Sequence, residues 1–117
     1  MAFLIAAASS NGKTIDRHFG HSDIFYIVAV KDDGSYEIKE KREVRSPCNH
    51  GSHDDNAMQQ AVSTLTDCRY VLAEAVGRGA AAQLEVKGIT PLESDESIDT
   101  AVKQIIVYDN RLYRRKK

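Results

Sequence analysis

The stretch "FLIAAA", Phe3 to Ala8, is apolar at every position. A strand with one wet face alternates between apolar and polar residues, so an unbroken run of strand length reads as a strand buried on both faces. A sheet covered on both sides is the α/β arrangement of layers. No basic residue precedes the run, and the polar "SSNGKT" follows it instead of a cleavage site, so it is not read as a secretory signal.

Working outward, "IFYIVAV" (Ile24 to Val30) is a second strand, rich in β-branched and aromatic residues. "KDDGS" makes a turn in which Gly34 can take a positive φ. "YEIKEKREVR" (Tyr36 to Arg45) alternates only partly and is heavily charged, which suits a sheet edge. After Ser46-Pro47 the period changes. Met58, Ala61, Val62 and Leu65 recur at helical spacing, with Ser52 and Asp55 as a capping box and a helix start near His53. "YVLAEA" (Tyr70 to Ala75) is another buried strand. "GRGAAAQLEVKG" holds a short helix that Gly88 ends. "ITPL" is an edge strand because of Pro91. Ser97 then caps a last helix with Ile98, Ala101, Val102, Ile105 and Ile106 along one stripe.

The order is β-β-β-α-β-α-β-α. Strand direction alone then places three loops at the end where the first strand finishes: Ser9 to Ser22, Ser46 to His53, and "EAVGRG". Ligands of open α/β sheets usually bind at that end.

The chain has 117 residues, 42% of them hydrophobic, which suits one globular domain. Its formal net charge of −1 provides no general attraction for nucleic acid or anionic membrane. No run approaches the ~18 apolar residues of a membrane span. Two cysteines are too few for a disulfide framework, so the expectation is a cytoplasmic protein with reduced thiols. "NRLYRRKK" is the only strong local charge bias. The expected division is a domain over 1–108 and a basic tail over 109–117.

All four histidines fall in the first two of these loops. "DRHFGH" carries His18 and His21; "PCNHGSHDD" carries Cys48, His50 and His53. Imidazole and thiolate are ligand types for zinc, iron and iron–sulfur clusters. H-x-x-H and C-x-H-x-x-H lack the paired C-x-x-C regularity of a closed zinc site, so an open site on loops is expected. A helix start beside His53 disfavours imidazolium there, as ligation requires. Loop histidines are also ordinary polar surface. Their convergence, and a first loop longer than ~12 residues, favour a site.

Gly20 is either a turn residue or a place where backbone approaches a ligand. Phe19 reads as an anchor beneath the loop. Asp16 either orients a histidine or caps the loop. Arg17 and Arg78 either hold an anionic ligand or simply solvate. Cys68 reads as a core residue. "SSNGKT" ends like a P-loop, but position 7 is alanine where glycine is needed and no helix follows. Asp16, Asp54 and Glu74 form too loose a carboxylate set for a nuclease.

"IAAASSNGKTIDRHFGHSDIFYIVAV", with its strand, polar loop, H-F-G and second strand, resembles the opening of the dinitrogenase iron–molybdenum cofactor biosynthesis family. The likeness continues through "HGSHDDNAMQQAVSTLTDCRYVLAEAVGRGAAAQLEVKGITPL", with its G-x-G-A…L-x-x-x-G-I spacing, to about Tyr108. It implies a ribonuclease H-like, three-layer α/β fold with a five-stranded mixed sheet in the order 3-2-1-4-5 and helices packed on it. It implies binding of an iron–sulfur or iron–molybdenum cofactor, or a precursor, as cargo rather than catalysis. Cluster donor and acceptor proteins would be its partners. His18 is the first ligand candidate by this resemblance, and His50 matches a second histidine region. Gly77, Arg78 and Gly79 join Arg17, Gly20 and His21 as candidate cofactor contacts. His21, Cys48 and His53 join His18 and His50 as metal candidates. Alternatives are a binding or sensing module for a single zinc or nickel ion, and a metal-dependent hydrolase.

Overall fold

A computed structural model describes residues 2–44 and 55–114. Five strands form one sheet in the order β3-β2-β1-β4-β5. They are β1 (Phe3–Ala8), β2 (Ile24–Val30), β3 (Tyr36–Glu43), β4 (Tyr70–Ala73) and β5 (Thr90–Glu93). The helices are α1 (Asp55–Thr64), α2 (Arg78–Val86) and α3 (Ile98–Arg114). The sheet is mixed: β1 runs antiparallel to β2 and parallel to β4, and β4 runs parallel to β5. This is the three-layer α/β fold and strand order expected from the sequence.

The central run is buried as its composition requires. Ile5, Ala6, Ala7 and Ala8 are wholly inaccessible. Ala6 and Ala8 face one core with Phe25, Ile27, Val71 and Ala73 of the sheet and Met58, Val62 and Leu84 of α1 and α2. Ile5 and Ala7 face the other core with Val28, Tyr70 and Leu72 of the sheet and Ala101, Val102 and Ile105 of α3. Small side chains on the middle strand let helices approach from both sides.

The incomplete alternation of the third strand has a local cause. Ile27 pairs with Glu40 and Val28 with Ile38, so Lys39 is the extra residue of a β-bulge. The ladder also ends at Glu43, and β4 ends at Ala73, each two residues short of the expected boundary. Edge strand β5 lies where Pro91 predicts it.

Helix ends follow their signals. The Ser97 hydroxyl accepts the Thr100 amide at 3.1 Å. Gly88, at φ +79, lies in a Schellman turn: its amide donates to Glu85 O, and the Ile89 amide donates to Leu84 O. The Ser52–Asp55 capping box lies outside the described residues.

α3 continues beyond Tyr108 to Arg114. Asp109 within it is 5% exposed and accepts hydrogen bonds from Arg69 Nη1, at 2.9 and 3.1 Å, and from Tyr70 OH at 2.6 Å. The segment that reads as a basic tail therefore begins inside the last helix. Among the described residues no helix is long and apolar enough to cross a membrane.

Candidate functional site: His18, His21 and Glu74 at one end of the sheet

The loop after β1 is built by short polar bonds. Ser9 Oγ accepts the Gly12 amide at 3.0 Å, and Asn11 Oδ1 accepts the amides of Lys13 and Thr14. Gly12 takes φ +76, and a Cβ there would stand 3.0 Å from the Tyr26 ring. Further along, the Ile15 amide donates to Glu96 O and the Ile98 amide donates to Lys13 O. Those bonds pin the loop to the start of α3, with Ile15 fully buried.

Asp16 accepts from the Ser10 hydroxyl at 2.6 Å and the Ser10 amide at 2.9 Å. The hydroxyl bond, above all, holds its carboxyl below the usual range. Of the two roles open to Asp16 in the sequence, loop capping is the one observed.

The chain then runs beside the continuation of β4. The Glu74 amide donates to Arg17 O at 2.8 Å, and the Phe19 amide donates to Ala75 O at 2.9 Å. These bonds bracket His18, which bridges to Ala75 in parallel fashion. Phe19 is wholly buried against Phe25, with ring centroids 5.5 Å apart. Burying a Phe side chain contributes about 1.5–3 kcal/mol, so this anchor holds the loop down. Residues Phe19–His21 form one 3-10 turn, in which the His21 amide donates to His18 O.

The turn brings the two imidazoles side by side. Their ring centroids are 6.1 Å apart at an interplanar angle of 65°. His18 Nε2 lies 3.2 Å from Glu74 Oε1, with both side chains roughly half exposed. Glu74 enters the sequence reading only in the loose carboxylate set. Its one local signal is a charged residue directly after the fully buried "YVLA". Gly20 is the middle residue of the 3-10 turn and is not among the glycines with positive φ.

Gly77 caps α2 with φ −66 and ψ 161. Neither Gly77 nor Gly79 has a positive φ, and an added Cβ at either meets nothing within 4 Å. Neither backbone strain nor packing requires glycine there. The start of α2 is left bare, flanked by exposed Arg78, two residues beyond the bridge to His18.

Cys48, His50 and His53 lie outside the described residues. Cys68 is buried, and burial pushes its thiol up to about 12, so it is no thiolate donor at neutral pH. Among the described residues no set of three His, Cys, Asp or Glu side chains is arranged to hold a metal ion. A groove of about 700 Å³ between α1 and α2, lined by Gln59, Val62, Gln83 and Val86 among others, is lined by neither described histidine.

Residues 1–107 match the family model described as dinitrogenase iron-molybdenum cofactor. The chain belongs to that family. Over 105 residues it is 32% identical to the FeMo cofactor biosynthesis protein NifB of Frankia alni, covering 87% of this chain and 20% of that protein. Over 97 residues it is 36% identical to NifB of Klebsiella pneumoniae, covering 77% of this chain and 20% of the relative. Protein NifY of Klebsiella pneumoniae is 28% identical over 91 residues, covering 78% of this chain and 38% of NifY. The chain thus spans about a fifth of the length of its NifB relatives. Among solved structures, PH0822 superposes with a TM-score of 0.67 at 20% identity, covering 90% of each chain. The mj0327 protein of Methanocaldococcus jannaschii superposes with a TM-score of 0.62 at 14% identity, covering 93% of this chain and 92% of that one. At those identities the superpositions speak to the fold alone.

Proposed function

We propose that this chain binds an iron–sulfur or iron–molybdenum type cluster, or a precursor, as cargo for cofactor assembly. The observation that carries the reading is the side-by-side, solvent-open pair His18 and His21 at the sheet end where β1 and β4 finish. Membership of the dinitrogenase iron-molybdenum cofactor family supports the class of cargo. His18 is the first ligand, with His21 beside it. Cys48, His50 and His53 supply further ligands from the second loop. Gly77 and Gly79 leave the α2 amides open to an anionic cargo, and Arg17 and Arg78 add positive charge. Few protein ligands on loops give affinity without permanence, which a carrier needs to pass cargo from a donor to an acceptor protein. The role is binding, not turnover.

Anaerobic reconstitution with iron and sulfide, read by absorption and by iron and acid-labile sulfide analysis, tests this. The expected result is sulfide-linked absorption on the wild type, most of it lost in His18→Ala. A wild type that takes up no cluster under several loading conditions overturns the reading. Uptake of one zinc or nickel ion per chain without any cluster would favour the single-ion alternative.

A further inference from the structure

We propose that Glu93, on edge strand β5, is a positioning residue for the histidine site: its carboxylate holds the turn between β4 and α2 along which His18 is laid. That this turn serves cargo rests on the reading above; the hold itself does not.

The start of α2 lacks the local chemistry that usually fixes a helix end. Its N-cap is Gly77, which has no side chain to accept an amide, and its first turn holds no acidic residue. A carboxylate from another element stands in. Glu93 Oε2 accepts the Val76 amide at 2.8 Å, one residue before the cap. The strand ladder sets this reach. Glu93 pairs with Ala73, and the Ser94 amide donates to Ala73 O at 2.9 Å, so the end of β5 is fixed beside the end of β4. From there the Glu93 side chain extends to Val76, three residues beyond its ladder partner.

The same short segment frames His18 from its opposite flank. The Glu74 amide donates to Arg17 O, and Ala75 O accepts the Phe19 amide. Residues 74–76 are thus gripped by the histidine loop on one side and by Glu93 on the other. A carboxylate bonded to a backbone N–H is among the stronger hydrogen bonds, and it restrains main chain, not one side chain. Without it the turn is free to shift on its β5 flank, and the spacing from His18 to α2 shifts with it. Because Glu93 takes the Val76 amide, ahead of Gly77, it leaves the first turn of α2 to the cargo. Glu93 is therefore not itself a ligand. Glutamine keeps an oxygen that can accept the Val76 amide, whereas alanine does not.

The test begins with amide hydrogen exchange by NMR on the cargo-free protein. In Glu93→Ala the Val76 amide is expected to exchange about 10-fold faster than in wild type, while Val71 and Leu72 in the middle of the sheet keep their rates. Glu93→Gln should keep most of the protection. Unaltered Val76 exchange in Glu93→Ala overturns the proposal. Iron–sulfide loading adds the second arm. Glu93→Ala should lose its cluster faster on gel filtration, by up to the same factor, and Glu93→Gln should retain it nearly as wild type does. Wild-type retention in Glu93→Ala overturns the positioning role. Equal loss in both variants would make the carboxylate a direct contact of the cargo, and stronger retention in both would make it a repelling charge; either also overturns it. A wild type that takes no cluster removes the cargo reading, and Val76 exchange still decides whether Glu93 holds the turn.

Discussion

Arg42 grips Asp67 through both arms of its guanidinium, Nη1 to Oδ1 at 2.8 Å and Nη2 to Oδ2 at 2.7 Å. The same Nη1 donates to Thr64 O at the end of α1. The charged edge strand β3 is thereby fastened to the turn after the first helix. The Arg42 hydrogen bond is the main cause that pulls the Asp67 carboxyl from 3.8 down to about 2. A carboxyl lowered on folding stabilises the fold above its unfolded value and loses that contribution as pH falls through the folded one. The contribution is thus expected to be full above about pH 4 and to fade towards pH 2. Asp67 is half exposed, so solvent screening keeps it to about 1 kcal/mol. Urea unfolding of Asp67→Asn against wild type should show that difference at neutral pH, and it should vanish at acid pH.

Asp109 has a larger effect. It is buried and accepts from Arg69 and Tyr70 at once. Asp109→Ala leaves those donors without this acceptor and is expected to destabilise the fold by about 3 kcal/mol. A chain ended after Tyr108 loses the same carboxylate and should unfold at least as easily. Thermal melts of both variants check the point, and equal stability of the shortened chain and wild type would contradict it.

The glycines separate into two kinds. Gly12→Ala meets both a positive φ and the Tyr26 ring, and should cost about 1–2 kcal/mol. Gly79→Ala lies in the first turn of α2, in open space and without a positive φ, so it should stabilise by about 0.5–1 kcal/mol. If cargo approaches the α2 amides closely, the same substitution should lower cluster retention despite the stabler fold. Unchanged retention in Gly79→Ala would remove this glycine from the site.

Both described histidines are exposed, so their alanine variants should melt close to wild type. His18→Ala is expected to lose most of the bound cluster and His21→Ala a smaller part. Iron content after gel filtration distinguishes the two, and a greater loss in His21→Ala would reverse their order.

Cys68 is expected to stay silent towards thiol reagents in the folded protein, since its thiol is buried and pushed up to about 12. Mapping of modified peptides by mass spectrometry should find it labelled only after unfolding. Cys68→Ala should leave cluster loading unaltered.

Strands β1, β2 and β4 were legible because each is an uninterrupted apolar run between turn residues, and an apolar run of that length has few alternatives. Helix ends at Ser97 and Gly88 were legible for a similar reason, since capping chemistry is local. Edge strand β3 was less clear because the bulge at Lys39 breaks its period. The shared sheet end of the loop after β1 and the segment after β4 also followed from sequence, because β1 and β4 run parallel.

Sequence by itself therefore determined the layers, the strand order through the family resemblance, and the end of the sheet that carries "DRHFGH". Tertiary structure alone decided what His18 faces there. The sequence reading left Asp16 either to orient a histidine or to cap the loop. Asp16 turns back to Ser10, and Glu74, far along the chain, stands 3.2 Å from the ring. The reason is lateral register. Glu74 and His18 meet because residues 17–19 continue hydrogen bonding alongside residues 74 and 75 past the end of the strands. No periodicity encodes that contact, since it depends on how two segments align after the fold has formed.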